Sequence, residues 1–482
     1  MIEVMDTTLR DGEQTAGVSF NADEKLAIAR LLLEELKVNR IEAGSARVST
    51  GEKEACTKIC SWASTNGYAD QVEILGFVDK GASVNWIADV GGHCLNLLTK
   101  GSLHHLTGQL RKSPEEHWED IRREIGLART KGLSVNVYLE DWSNGMAGSP
   151  DYVFFLVDHL QDAGVNRIML PDTLGVLNPT QTALFCSQMV ERYPQVHFDF
   201  HAHNDYDLAA ANTYEAVKAG FRGIHTTVNG LGERAGNLPV ASALGLLNDH
   251  LKQENSLEEG SLMHVCRYVE TISGVRIPSN MPLVGEYVFT QTSGVHADGD
   301  KKGGLYQNAL HPERFGRHRH YALGKTSGKA NIVKNLETLG IELTPEQMQL
   351  VTRRVVELGD KKESLTPEDL PYIIADVLKV TRPRRGPGLR GELQPPAGPR
   401  HAPGGQPPHP HPRGNLRRIL GRRRSVRRFY ESLVENLRPA GPSASPPDGL
   451  CGQDSPGRKD RRLGGDLHLL GPGRLFVQNP GR

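Results

Sequence analysis

Within the first 250 residues, short strand-like apolar runs take turns with helical stretches about eight times. The strand-like runs begin at Ile2-Glu3-Val4-Met5, Arg40-Ile41-Glu42-Ala43, Val72-Glu73-Ile74-Leu75, Leu95-Asn96-Leu97-Leu98, Val135-Asn136-Val137-Tyr138, Arg167-Ile168-Met169-Leu170, Phe198-Asp199-Phe200-His201 and Gly223-Ile224-His225-Thr226. Between them lie stretches such as 22–36, with apolar residues every three or four positions, and 114–130. Eight strand–helix units in about 250 residues have the size and rhythm of a (β/α)8 TIM barrel, an α/β fold. A doubly wound open sheet is the competing architecture. However, Leu9-Arg10-Asp11-Gly12-Glu13, after the first strand, is no glycine-rich phosphate loop, and no GxGxxG follows it.

The division expected from this pattern is a catalytic barrel over 1–265, followed by two accessory subdomains. The first, 266–322, contains the glycine-bracketed Gly294-Val295-His296-Ala297-Asp298-Gly299. The second, 323–380, reads as helices over 329–339, 345–358 and 367–378. Residues 381–482 lack sustained periodicity.

The balance of 57 basic and 57 acidic side chains hides two unlike segments. Residues 381–482 carry 19 Arg and 1 Lys against 7 acids, 20 − 7 = +13, and hold 17 of the 29 prolines. Residues 1–380 therefore carry 37 − 50 = −13. By composition the last segment is a disordered basic tail. Its arginine run, Arg422 to Arg424 with Arg427 and Arg428, has few interleaved aromatics and no recognition motif, so specific nucleic-acid binding is not expected.

Mean hydropathy is −0.44, and no run of about 18 apolar residues offers a membrane span. There is no basic-then-apolar leader, and six cysteines make no disulfide framework, so a reduced cytoplasmic setting is expected. Cys56 and Cys60, one helical turn apart without partner ligands, read as packing residues.

A barrel places its chemistry just beyond the carboxyl ends of its strands. Polar residues gather there: Arg10 and Asp11 after the first strand, Glu140 and Asp141 after the fifth, Asp172 and Thr173 after the sixth. His201 and His203 end the seventh, and Asn229 to Asn237 follow the eighth. Alternate strand residues face the same side, so His201 and His203 can converge on one ion. Asp11 and Asn237 complete a set of two nitrogen and two oxygen donors. That mixture suits Mg2+, Mn2+ or an open Zn2+ site rather than a closed structural zinc. Arg10 offers a fixed cation beside the metal for a carboxylate or developing oxyanion, with an ion pair to an acid such as Glu140 as the plainer alternative. Glu140 is a candidate general acid or base. His104 and His105 follow strand four, where either a catalytic or a structural role is open. His296, outside the barrel, reads first as a surface histidine.

Three motifs in order, Asp6-Thr7-Thr8-Leu9-Arg10-Asp11-Gly12-Glu13-Gln14, His201-Ala202-His203-Asn204-Asp205 and Gly230-Leu231-Gly232-Glu233-Arg234-Ala235-Gly236-Asn237, resemble those of the 2-isopropylmalate, homocitrate and citramalate synthases. These are metal-dependent acyltransferases on TIM barrels, and the resemblance runs from residue 1 to about 380. It implies a Claisen condensation of acetyl-CoA with a 2-oxo acid, then thioester hydrolysis. It implies Asp11, His201, His203 and Asn237 as metal ligands, Arg10 as oxyanion stabiliser and Thr173 as carboxylate binder. It also implies Glu140 as supporting acid, and His296 as the base acting across a homodimer, with Tyr306 and Asp298 nearby. One departure is Gly304, where close relatives carry asparagine.

Leu75, Leu98 and Tyr138 end strands three, four and five, and resemble the narrow apolar pocket of the Leptospira-type citramalate synthases. Large side chains there favour pyruvate, giving (R)-citramalate in branched-chain amino-acid biosynthesis. The alternative is 3-methyl-2-oxobutanoate, the substrate of 2-isopropylmalate synthase in leucine biosynthesis. A lyase of the hydroxymethylglutaryl-CoA type would need a cysteine in the glycine-rich loop, where this chain has His296. Members of the family usually continue past 380 into a regulatory domain. The drop to a single Lys among 19 Arg after residue 380 is what GC-rich codons yield out of frame, so 381–482 reads as a frameshifted remnant of that domain, a genuine disordered tail being the alternative.

Overall fold

The computed structural model describes residues 1–301, 303 and 305–378; the tail at 381–482 and Gly304 fall outside them. Eight parallel strands close into one barrel in sequence order: β1 Glu3–Asp6, β2 Arg40–Ser45, β3 Val72–Phe77, β4 Cys94–Lys100, β5 Ser134–Glu140, β6 Arg167–Asp172, β7 Phe198–Ala202 and β8 Gly223–Thr226. Pairing of β1 with β8, Met5 opposite His225, seals it. Each strand starts within about one residue of the start read from the sequence, because apolar runs bounded by turns fix strands well.

The connecting helices follow their start and stop signals. Asn21, Ser113 and Asn178 close capping boxes ahead of helices Ala22–Arg30, Pro114–Thr130 and Pro179–Arg192. Helix Thr50–Asn66 ends on Gly67 at φ 80°, a conformation that needs glycine. Cys56 and Cys60 are buried on its inner face, and burial pushes the Cys60 thiol up to about 12, so both pack rather than react. The main core lies between this helical ring and the outer faces of the strands.

The barrel interior departs from the branched apolar filling common in such folds. Arg40 on β2 reaches Asp199 on β7, and Tyr138 on β5 reaches His225 on β8. Contacts between strands that are not neighbours must cross the interior, so these positions point inward. With the alternation of strand side chains, this puts Glu42, Glu73, Asn96, Asn136, Asp199 and His225 inside, all buried.

Beyond the barrel, helix Leu262–Ser273 packs on the main core. A parallel pair, β9 Thr290–Gln291 with β10 His320–Tyr321, and helix Gly294–Lys301 follow. Helices Lys329–Leu339, Pro345–Asp360 and Leu370–Val377 then enclose a second small core around Ile332, Leu336, Val351, Val355 and Ile374. No helix among the described residues is long and apolar enough to cross a membrane.

One buried histidine makes the fold pH-sensitive. His117 Nε2 accepts the backbone N–H of Lys100 at 3.3 Å, and burial, with Lys112 nearby, pushes its imidazole down to about 4. An unfolded histidine titrates near 6.5, so below that the unfolded chain binds the extra proton first. This contribution to stability is complete above about pH 6.5 and is lost as pH falls toward 4. His117→Gln should flatten that slope, read as a smaller change in urea midpoint between pH 7.5 and 5 than the parent shows.

Candidate active site

The site forms where β1, β7 and β8 end. Asp11 sits in the turn after β1, its N–H bonded to Thr7 O at 2.8 Å. His201 lies in β7 and His203 one step beyond it. Asn237 reaches the same place because the loop after β8 folds back: His203 and Asn237 form an antiparallel bridge, and Leu238 N donates to Ala202 O. Two glycines permit this fold. A Cβ on Gly236 would fall 1.9 Å from Gly230 O, and one on Gly232 2.2 Å from Asn237 Nδ2. Arg234, in the same loop, bonds both oxygens of Asp205 and donates to Thr173 O at 2.8 Å, tying the loops after β6, β7 and β8 together.

His201 Nε2 lies 3.1 Å from Asp11 Oδ2 and 3.4 Å from His203 Nε2, while His203 Nε2 is 3.9 Å from Asp11 Oδ2. All three residues are buried and offer ligand atoms within 4.8 Å of one another. Ligands bonded to one cation at about 2.1 Å and at right angles stand about 3 Å apart, so this spacing fits a divalent ion. The unmet acceptors fit it too. Asp11 Oδ1 and Asn237 Oδ1 are buried with no hydrogen-bond partner among the described residues, while Asn237 Nδ2 is engaged with Leu231 O at 3.1 Å. A buried acceptor without a donor costs about 1–3 kcal/mol, which a cation would recover.

Electrostatics keep the set ready for a cation. Burial alone would raise the Asp11 carboxyl, but Arg10, His201 and His203 outweigh it and hold it far below the usual carboxylate range. Burial, then His201, pushes His203 down to about 4, and burial lowers His201 as well, so both imidazoles are neutral at pH 7.

Arg10 is gripped from two sides, by Asp11 Oδ2 at 3.1 Å and by Glu42 Oε2 at 2.5 Å, and sits over the Tyr138 ring. Its acid partner is thus Glu42, not Glu140; Glu140 pairs instead with Lys100. Glu42 is held in turn by Asn96 Nδ2 at 2.8 Å, and Asn96 by Asn136 at 2.9 Å. Thr173 Oγ1 accepts Asp141 N–H at 2.8 Å, which leaves its own O–H to donate elsewhere. Asp141 is buried at φ 65°, a strained setting held by Ser102 and Asn144 side chains at 2.7 Å each. His105 Nε2 stands 3.5 Å from it.

Leu75 and Tyr138 join Met5 and Met169 in a separate buried apolar cluster inside the barrel, with Leu98 and Phe77 packed against it. The three specificity positions read from the sequence therefore meet. Met5, Met169 and Phe77 join them, all inward-facing members of strands already recognised. Lys25 also escaped the sequence reading: buried, it bonds Leu9 O, Glu13 and Glu52, and so pins the turn carrying Arg10 and Asp11.

His296 and Tyr306 belong to the segment that follows the barrel. His296 is exposed on helix Gly294–Lys301, bonded to Gln291 Oε1 at 3.2 Å and packed at a tilt against Tyr306 with 4.3 Å between ring centroids. Asp298 is exposed on the same helix.

A family profile for HMGL-like domains matches residues 1–269, and one for homocitrate synthase post-HMGL domain-like regions matches 283–363. The 2-isopropylmalate synthase of Sulfolobus acidocaldarius is 33% identical over 383 residues, 79% of this chain and 97% of that one. The (R)-citramalate synthase CimA of Methanocaldococcus jannaschii is 33% identical over 377 residues, 78% of this chain and 75% of that one. Among solved structures, hydroxymethylglutaryl-CoA lyase from Pseudomonas aeruginosa superposes with a TM-score of 0.51 at 19% identity, over 57% of this chain and 94% of that one, a likeness of fold alone. The chain belongs to the HMGL-like family, in its branch of 2-isopropylmalate, homocitrate and citramalate synthases.

Proposed function

We propose that the protein condenses acetyl-CoA with a small 2-oxo acid, pyruvate in preference to 3-methyl-2-oxobutanoate, and releases CoA. The observation that carries this reading is the convergence of Asp11, His201 and His203 beside Arg10, above the apolar wall of Leu75, Leu98 and Tyr138. Asp11, His201, His203 and Asn237 would hold a divalent cation, which when bound would supply Lewis-acid polarisation of the keto group.

The chain's own groups do the rest. Arg10, already fixed by Glu42, stabilises the negative charge that grows on the keto oxygen as the new carbon–carbon bond forms. Thr173 donates its remaining O–H to the substrate carboxylate. The acetyl methyl is a weak carbon acid, and its proton is taken by His296, with Tyr306 beside it and Asp298 on the same helix. The exposure of His296 on a helix after the barrel supports a base that serves the site of a second subunit in a homodimer. Glu140, paired with Lys100 at the rim, orients the acetyl group for that step.

The wall sets the acid. Leu75 and Tyr138 are buried and backed by Met5 and Met169, so the pocket floor has little slack for an isopropyl group. A methylene of misfit costs roughly 1–3 kcal/mol in discrimination. The parent protein should therefore favour pyruvate in kcat/KM, and Leu98→Ala should move the ratio toward 3-methyl-2-oxobutanoate by about tenfold or more. A parent that prefers the larger acid would overturn the substrate assignment and give the 2-isopropylmalate reading.

A further inference from the structure

Beneath the cation site the barrel interior holds a line of polar groups that no step above employs. His225, in β8, is buried, with its Nδ1 3.3 Å from His201 Nδ1 and its Nε2 3.2 Å from Asp199 Oδ2. Asp199 is in turn bonded by Arg40 Nη2 at 2.5 Å, and Arg40 Nη1 donates to Glu73 Oε1 at 2.9 Å. The fit is close: Gly223 pairs with Asp199 across the ladder, and a Cβ there would lie 1.9 Å from Asp199 Oδ1.

We propose that Asp199 and His225 are positioning residues that fix the tautomer of His201, keeping the proton on Nδ1 and the Nε2 lone pair turned to the cation site. This rests on reading Asp11, His201, His203 and Asn237 as that site. An ionised carboxylate only accepts, so Asp199 takes the Nε2–H of His225. A neutral imidazole carries one proton, so His225 Nδ1 is then an acceptor. It faces His201 Nδ1, which must supply the proton, and the remaining His201 nitrogen, Nε2, is left as a lone pair directed toward Asp11 and His203. Tyr138 O–H, 3.2 Å from His225 Nδ1, can donate to the same nitrogen and so is compatible with that His225 tautomer.

The Arg40 guanidinium, 2.5 Å from Asp199 Oδ2, pairs with Asp199 as an anion. Metal-bound histidines commonly give their second nitrogen to a carboxylate directly. Here an extra imidazole is inserted, and the carboxylate's preference is passed between neighbouring strands, from β7 to β8 and back to β7.

The test uses the full chain and the metal alone. Mn2+ affinity is measured by electron paramagnetic resonance for the parent, Asp199→Asn and His225→Gln. Histidine tautomers are read by long-range proton–nitrogen correlation on 15N-histidine protein with Mg2+. Asp199→Asn can offer an N–H where the carboxylate accepted, which inverts His225. Mn2+ binding should weaken ten- to hundredfold, and His201 should move its proton to Nε2. His225→Gln leaves the Arg40–Asp199 pair in place and should weaken binding about tenfold or more. Both variants folding and binding Mn2+ within twofold of the parent would overturn the proposal, as would a parent His201 protonated on Nε2. If neither variant folds, the parent's tautomer decides alone. A parent that binds no Mn2+ would instead defeat the cation-site reading and this inference with it.

Discussion

Asp11→Asn should leave a folded protein whose acetyl-CoA turnover falls by about a thousandfold or more, about 4 kcal/mol of transition-state stabilisation. The substitution keeps the shape and removes the one anionic donor from the cluster of Asp11, His201 and His203. It also removes the acceptor that Arg10 Nη1 shares at 3.1 Å, so Arg10 would keep only Glu42 as anionic partner. Mn2+ affinity should fall in parallel with turnover, measured by isothermal titration on the same preparation. Unchanged affinity with lost activity would mean that Asp11 acts on the substrate rather than on the cation.

The second large effect belongs to Arg10. Arg10→Lys should lower kcat by about 10²–10³ while the KM for the oxo acid changes much less, because the loss falls on charge that develops only in the transition state. A lysine keeps the positive charge but cannot bond Glu42, Asp11 and an oxyanion at once, since its ammonium lacks the planar fork. The contrast with Arg10→Ala separates chemistry from folding. Removing the cation leaves Glu42 and Asp11 as buried anions without it, which costs about 3–5 kcal/mol of stability. The alanine variant should therefore show a lowered urea midpoint, and the lysine variant should not. A lysine variant with normal kcat would remove Arg10 from the oxyanion role.

Much of this was legible in the sequence because short-range signals set it. Strand starts at Arg40, Val72 and Phe198 follow from apolar runs next to turn residues, and the capping boxes at Ser113 and Asn178 mark their helices. Asp11, His201, His203 and Asn237 could be singled out because they stand at the carboxyl end of a strand or in the loop that follows it, where a barrel must put its chemistry.

What stayed hidden depends on the order and register of the strands around the barrel. Glu140 is near Arg10 in a strand-end reading, yet the closed sheet gives Arg10 to Glu42 and Glu140 to Lys100. No local pattern encodes the register that sets Lys100 beside Glu140 on neighbouring strands. A signal did exist for the inner network: Glu42, Glu73, Asn96, Asn136, Asp199 and His225 all occupy alternate positions of strands that should be apolar on both faces. Polar residues repeated on that alternation mark an interior built for charge. The proposed role of His296 in the site of a second subunit involves another copy of the chain, which one sequence does not supply.

The most direct test of the account is steady-state release of CoA thiol from acetyl-CoA with pyruvate, run on metal-stripped protein and again after Mn2+ is restored. The account predicts release that requires both the oxo acid and the cation, lost on chelation and recovered on addition. Release that proceeds at the same rate without the cation, or no pyruvate- or 3-methyl-2-oxobutanoate-dependent release with it, would contradict the account.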